Sequence, residues 1–122
     1  MRQSFELARR ESLPGIVVVI HANPRWERFR RGKPNPSFSA FLEALYSEAE
    51  AFDGPVLLLH GDTHTFRVDK PFSNSRTGEM LTNFTRVETF GHPHMHWVLI
   101  TVSSEDVDRF DIQPMIVKQN RP

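Results

Sequence analysis

The chain has 122 residues, with fifteen basic and fifteen acidic side chains and no cysteine. A chain of this length suits one domain that buries about two-thirds of the surface exposed when it is unfolded. The balanced charge excludes the broad basic surface of a typical nucleic-acid binder, and the lack of cysteine excludes disulfides and thiolate metal sites. The charged start MRQSFELARRES lacks the apolar core of a signal peptide, and no apolar stretch approaches the roughly 20 residues of a membrane span. We therefore predict a soluble, cytoplasmic protein.

The first predicted elements are a short helix and a buried strand. Residues 2–12 place apolar side chains among charges, and the following Pro14 and Gly15 end that helix. The run GIVVVIH, residues 15–21, is β-branched throughout and shows no alternation. Such a run is typical of a strand that is buried on both faces, as in a parallel sheet.

A loop, a helix and a second strand follow. Residues 23–36 contain three prolines and predict a long loop. Residues 37–52 place apolar side chains at helical spacing, with Ser37 as the candidate N-cap. The run GPVLLLH, residues 54–60, predicts another buried strand. Strand, helix and strand form a βαβ unit, which requires the two strands to run parallel.

The second half of the sequence predicts short strands of another kind. FRVD, NFTRVETF and HWVLITV alternate apolar with polar residues, SNSRTGEMLT is a polar loop, and MIVKQNRP closes the chain. Alternation is typical of antiparallel strands with one buried face. The predicted fold class is α/β, with a βαβ unit followed by mostly antiparallel strands in a single domain over residues 1–122.

Histidines follow both strands of the predicted βαβ unit. His21 ends the first strand, and HGDTH, residues 60–64, ends the second. Parallel neighbours bring these ends to one edge of the sheet, where ligands bind in open α/β folds. His21, Asp62 and His64 are therefore candidate ligands for a divalent Mn, Fe, Zn or Co ion, with His60 as an additional ligand or a supporting group. The alternative is that the histidines are hydrogen-bonded strand-end residues and that Asp62 belongs to an ordinary turn.

A second histidine cluster is GHPHMHW, residues 91–97, with His92, His94 and His96 at alternate positions. This spacing can chelate a metal, but glycine and proline in the same segment also favour an exposed approach to a hairpin. His96 is the member expected to point inwards, so it joins His60 as an additional candidate ligand.

Five basic residues lie in the predicted loop, namely Arg25, Arg28, Arg30, Arg31 and Lys33. Arg25 and Arg28 are candidate phosphate-binding groups, because guanidinium binds phosphate bidentately. Trp26 and Phe29 lie between the arginines and would permit base stacking. The alternative is a solvated loop without a ligand.

The strand ending in His21, the helix, and the strand running into Gly61, Asp62, Thr63 and His64 together resemble the late motifs of the calcineurin-like metallophosphoesterases. In that family a strand-end histidine ligand is followed by Gly-His-x-His, whose histidines face two adjacent metal ions. His21 matches the first ligand, and Asp62 stands where the family usually has histidine. TFRVDKPF, NFTRVETFG and HWVLITVS are similar to the C-terminal strands of a bacterial branch.

The resemblance implies the C-terminal half of a four-layer sandwich and the metal-dependent hydrolysis of a phosphomonoester or phosphodiester substrate. Of the family's earlier motifs, Gly-Asp-x-x-Asp and Gly-Asn-His do not occur here, and Asp-x-His occurs only as Asp62-Thr63-His64, inside the late motif and after the strand that ends in His21. We therefore expect a partial domain that binds metal but is inactive alone. The alternatives are a small non-catalytic module that binds metal or forms homo-oligomers, and a weak nucleotide or RNA binder that uses the Arg25–Lys33 loop. Membrane association and nucleic-acid partners are not expected.

Overall fold

The structure is a computed structural model that describes residues 1–105 and 109–120. In this part of the chain the elements are α1 (Arg2–Arg10), β1 (Ile16–Val19), α2 (Trp26–Arg30), α3 (Ser39–Glu50), β2 (Val56–His60), β3 (Arg67–Asp69), β4 (Phe84–Glu88), β5 (Trp97–Val102), β6 (Phe110–Met115) and a final 3₁₀ turn (Lys118–Asn120). The last two residues of the predicted closing segment lie outside the described residues. Within the described ranges, no helix is long and apolar enough to cross a membrane.

The main sheet has four strands in the order β1-β2-β4-β3. β1 and β2 are parallel neighbours, with Val17 opposite Leu57, so the predicted parallel pair is confirmed. β3 runs antiparallel to β4, and β5 and β6 form a separate antiparallel pair. The protein is therefore mixed α/β, with one mixed sheet and one antiparallel sheet.

The prediction of mostly antiparallel strands in the second half is confirmed for β3 with β4 and for β5 with β6, but β4 also runs parallel to β2, which was not predicted. Residues 70–83 lead the chain back to the edge of the sheet where β2 begins, so β4 starts there and lies between β2 and β3. The alternation of FTRVE reports which side chains face the core, but it does not determine strand direction.

The helices cover one face of the main sheet. Their buried side chains share one apolar cluster with those of β2 and β4, and the cluster includes Phe5, Ala8, Trp26, Leu42, Leu45, Ala49, Val56, Leu58 and Phe84. The aromatic rings of Trp26 and Phe72 meet edge to face with centroids 5.0 Å apart. The core of the domain therefore lies between the helices and this face of the sheet.

β1 is buried on one face only, which corrects the prediction of burial on both faces. Val17 is 47% exposed and Val19 is 67% exposed, whereas Leu57 in the neighbouring strand is fully buried. β1 lies at the edge of the sheet, and its other side chains, Ile16 and Val18, pack against the helix cluster. The continuous apolar run thus has one set of side chains packed against the helices and another set exposed on the opposite face of the sheet.

Two predictions about residues 23–39 are also wrong. The proline-rich segment contains the short helix α2, because burial of Trp26 against the core fixes one helical turn. α3 begins at Ser39 after Phe38, and no side chain caps it. The N-cap position is Phe38, and Ser37 lies one residue earlier in the preceding turn, where its N–H donates to the side-chain oxygen of Asn35 at 3.2 Å.

The connection from α3 to β2 is held by one side chain from a distant part of the sequence. Asn83 donates from its side-chain nitrogen to the carbonyl oxygens of Ala49 at 2.9 Å, Phe52 at 2.8 Å and Gly54 at 3.3 Å. The N–H of Val56 donates in turn to the carbonyl of Asn83 at 2.8 Å. Asn83 therefore fixes the end of the helical crossover to the start of β2 and β4.

Candidate functional site

The segments that follow β1 and β2 meet at one edge of the sheet. We call residues 20–25 the first strand-end loop and residues 61–66 the second strand-end loop. The Gly61 N–H donates to the carbonyl of His21 at 3.0 Å, and the Asn23 N–H donates to the Asp62 carboxylate at 3.3 Å. The predicted meeting of His21 with the HGDTH segment at one edge is confirmed.

The second strand-end loop turns sharply. Asp62 has φ of 83° and His64 has φ of 61°, so both residues occupy the left-handed region. Non-glycine residues seldom adopt this region, and they keep it only where their surroundings hold them there. The segment therefore turns at Asp62, as the alternative interpretation expected, and His60, Asp62 and His64 do not point to one side as they would in an extended strand.

The side chain of His64 is exposed and fixed by a hydrogen bond. Its Nδ1 lies 2.7 Å from the carbonyl oxygen of His92. Because a carbonyl can only accept, Nδ1 carries the hydrogen in this contact, and in the neutral ring the lone pair lies on Nε2. Gly91 leaves room for the ring, since a Cβ there would lie 2.2 Å from the His64 Cδ2. Metal-binding histidines are commonly oriented in this way.

No group of three or more His, Asp or Glu side chains that could hold a metal ion occurs within residues 1–105 and 109–120. His21, Asp62 and His64 thus do not form the predicted three-ligand group. One reason is the left-handed turn, and another is that the Asp62 carboxylate accepts the N–H of Asn23. The nitrogen and oxygen donors suit a divalent transition metal in type, but the described residues do not gather enough of them.

His60 is buried rather than placed at the surface of this edge, with 1% of its area exposed. Burial lowers the pKa of His60, and the charges of Arg86 and Arg67 act in the same direction. A hydrogen bond to the Gly61 carbonyl and the charge of Glu88 oppose the shift. His60 is therefore a neutral residue of the interior at neutral pH.

Glu88 is a buried carboxylate at the end of β4 that sequence reasoning missed. It is fully buried, and its Oε1 accepts hydrogen bonds from Asn23 Nδ2 at 3.2 Å and from the Thr63 hydroxyl. Arg67 lies on the other side, with its Nε 3.9 Å from Oε2. One signal was present in the sequence. Glu88 lies four residues after the core residue Phe84 on the same strand, and residues at even spacing on a strand face the same side of the sheet.

Arg86 is a second buried charge on the same face of β4. It is 2% exposed, and it forms a bidentate pair with Asp69, in which Nε lies 2.7 Å from Oδ1. Its guanidinium carbon lies 5.4 Å from the centre of the Trp26 ring. Charge-assisted pairing and cation–π contact stabilise this charge in the interior and connect α2 to the sheet, and Nη1 is buried without a hydrogen-bond partner among the described residues.

The second histidine cluster does not gather a metal group either. His92 and His94 are exposed, whereas His96 is half-buried, with its ring edge-on to Phe90 at 5.1 Å between centroids. The expectation that His96 points inwards is therefore confirmed. Its Nδ1 is buried and has no hydrogen-bond partner among the described residues.

The candidate phosphate-binding residues are both exposed, with Arg25 immediately before α2 and Arg28 within it. Their acidic neighbour Glu27 pairs with Arg67 at 2.9 Å, which connects α2 to β3. Trp26 is 1% exposed, so its ring is not accessible for stacking on a base. The structure therefore does not support the predicted base stacking by Trp26. Phosphate binding by Arg25 and Arg28 stays a prediction.

Comparisons of the chain with protein-family models, with curated proteins and with solved structures found no match. The resemblance to the calcineurin-like metallophosphoesterases therefore stays a prediction from the sequence.

Proposed function

We propose that the two strand-end loops supply ligands to the metal centre of a phosphoesterase of the calcineurin-like type. The parallel pairing of β1 and β2 supports this proposal, because it brings the His21 and His64 loops to the edge where such folds bind ligands. The ion would be Mn, Fe, Zn or Co, and the substrate a phosphate ester.

The observation that carries the proposal is the orientation of His64. Its Nδ1 donates to the carbonyl of His92, so Nε2 is left as the acceptor of an exposed ring in the second strand-end loop. Pairing of one ring nitrogen with a carbonyl is the arrangement that raises the basicity of the other nitrogen towards a metal.

The described residues would hold a metal only in part, since no group of three ligands is assembled among them. A pair of ions in such a centre stabilises the charge that develops on the phosphoryl group during hydrolysis, and holding two ions requires many ligands. We therefore propose that the 122-residue chain binds a divalent ion weakly through His21 and His64, and that it hydrolyses phosphate esters negligibly by itself.

A metal titration tests this proposal. Co²⁺ or Zn²⁺ is added to the purified chain, and binding is followed by calorimetry and by the histidine ring signals in NMR. His64→Ala should lower the affinity by about tenfold or more, because even groups that only orient a ligand contribute about ten- to a hundredfold. His94→Ala is the matched control and should bind as the parent does. Equal binding by His64→Ala and the parent would contradict the proposal.

An activity assay tests whether the chain alone lacks a complete metal centre. The chain is incubated with an aryl phosphodiester and Mn²⁺, Fe²⁺, Zn²⁺ or Co²⁺, and turnover should not exceed that of the metal alone. Robust turnover that disappears in His64→Ala would show that the chain holds a complete centre.

A second candidate function is self-association, and it is favoured by the exposed face of β1. Val17 and Val19 lie on an edge strand whose outer side pairs with no other strand among the described residues. Exposed β-branched side chains on an unpaired edge favour pairing with another copy of the same strand. This function does not require a metal and can be tested separately.

A further inference from the structure

Glu88 occupies the last position of a central strand. Its parallel neighbour in the register is His60, and its antiparallel neighbour is Arg67. The side chain is fully buried, although an ionised carboxylate is costly to bury unless it is paired and hydrogen-bonded. The hydrogen bonds that offset the cost of burying Glu88 therefore indicate its role in the structure.

The hydrogen bonds of Glu88 reach both strand-end loops. Oε1 accepts from Asn23 Nδ2 at 3.2 Å and also from the Thr63 hydroxyl. Asn23 lies two residues after His21, and Thr63 immediately precedes His64. One carboxylate oxygen thus connects the segment that carries the first candidate ligand to the segment that carries the second.

Asn23 is the intermediate in this connection. Its Nδ2 donates to Glu88, its Oδ1 accepts from the Arg25 N–H at 2.8 Å, and its backbone N–H donates to Asp62 at 3.3 Å. The side chain is 8% exposed. Because both ends of its amide are used, Asn23 has one orientation, and the first strand-end loop is held in a single position relative to the second.

Thr63 lies between the two residues with left-handed backbone, Asp62 and His64. Such residues relax to ordinary conformations unless neighbouring contacts hold them. The bond from Thr63 to Glu88 attaches this turn to the interior of the sheet. The direction of the His64 ring therefore depends on Glu88, which is not itself a candidate ligand.

We propose that Glu88 is a positioning residue that joins the two strand-end loops and presets the arrangement of His21 and His64 before any metal binds. The consequence for metal affinity rests on the proposed function, whereas the joining of the loops does not. Removing the carboxylate should loosen both loops, while Glu88→Gln retains an acceptor oxygen for Asn23 and Thr63 and should preserve most of the arrangement.

Amide hydrogen exchange on the metal-free chain tests the joining of the loops. In Glu88→Ala, the N–H groups of Gly61 and Asn23 should exchange about tenfold faster relative to those of the central strands. Glu48→Ala is the matched control, since Glu48 is also buried, at 7% exposure, and pairs with arginines of α1 instead. Equal protection of Gly61 and Asn23 in the two variants would overturn the proposal.

Thr63→Val gives a second test at an exposed residue, in case Glu88→Ala does not fold. It removes the bond from the second loop and leaves that from Asn23 intact, so exchange should accelerate at Gly61, whose N–H donates to His21, and remain slow at Asn23. Acceleration at neither position would overturn the proposal.

A Zn²⁺ titration of the same variants separates the two proposals. Glu88→Ala should lower the Zn²⁺ affinity by about tenfold, and Glu88→Gln should recover most of it. A parent chain that binds no Zn²⁺ would refute the proposed function but leave the exchange result to decide the role of Glu88. Loosened loops with unchanged Zn²⁺ affinity would refute a positioning role for metal binding.

Discussion

Replacement of Asn83 should destabilise the domain more than its position in a turn would suggest. Its side-chain nitrogen has two hydrogens and faces three carbonyl oxygens, at 2.8, 2.9 and 3.3 Å. A net hydrogen bond contributes about 1 kcal/mol, so loss of two effective bonds in Asn83→Ala should cost about 2 kcal/mol. This is a large share of the roughly 5–15 kcal/mol by which domains are stable. Asn83→Asp should cost more, because it places a carboxylate against the same three carbonyl groups.

Urea unfolding followed by circular dichroism measures the effect. With a slope of about 2 kcal/mol per molar urea, the midpoint of Asn83→Ala should fall by about 1 M. Asn35→Ala is the control, since Asn35 accepts one 3.2 Å bond from Ser37 in an exposed turn, and its midpoint should change far less. A free energy of unfolding for Asn83→Ala within about 0.5 kcal/mol of the parent would refute the reasoning, since that is the range of neutral surface changes.

Three further predictions concern the site and the exposed strand. The lowered pKa of His60 means that the unfolded chain takes up a proton below about pH 6.5 that the folded chain does not, so stability present above that pH should be lost as the pH falls. His60→Gln should show a smaller loss in urea unfolding between about pH 7.5 and about pH 5.5, and equal losses would contradict the assignment. Replacement of both Val17 and Val19 by threonine should shift sedimentation towards the monomer, and a parent that is already monomeric at high concentration would count against self-association. Gly91→Ala places a Cβ 2.2 Å from the ring of His64, so the NMR signals of that ring should shift; unchanged signals would show that the ring is not held there.

The sequence by itself determined the two parallel strands of the first half, the long helix between them, and the edge where the candidate residues lie. Two apolar runs separated by a helical segment require parallel strands, because the crossover is too long for a hairpin. This requirement places the His21 loop beside the Gly61–His64 loop, and the bond from the Gly61 N–H to the His21 carbonyl confirms it. Such conclusions hold because apolar periodicity and crossover length are properties of short segments.

Only the tertiary structure decided which side chains act together at that edge. Asn23 and Glu88 are 65 residues apart in sequence, and their hydrogen bond exists only because β4 lies beside β2. The directions of Asp62 and His64 depend on left-handed backbone that the contacts around Thr63 hold in place. The sequence pattern is local, whereas strand direction, the burial of a charge and the orientation of a ring follow from contacts between distant segments.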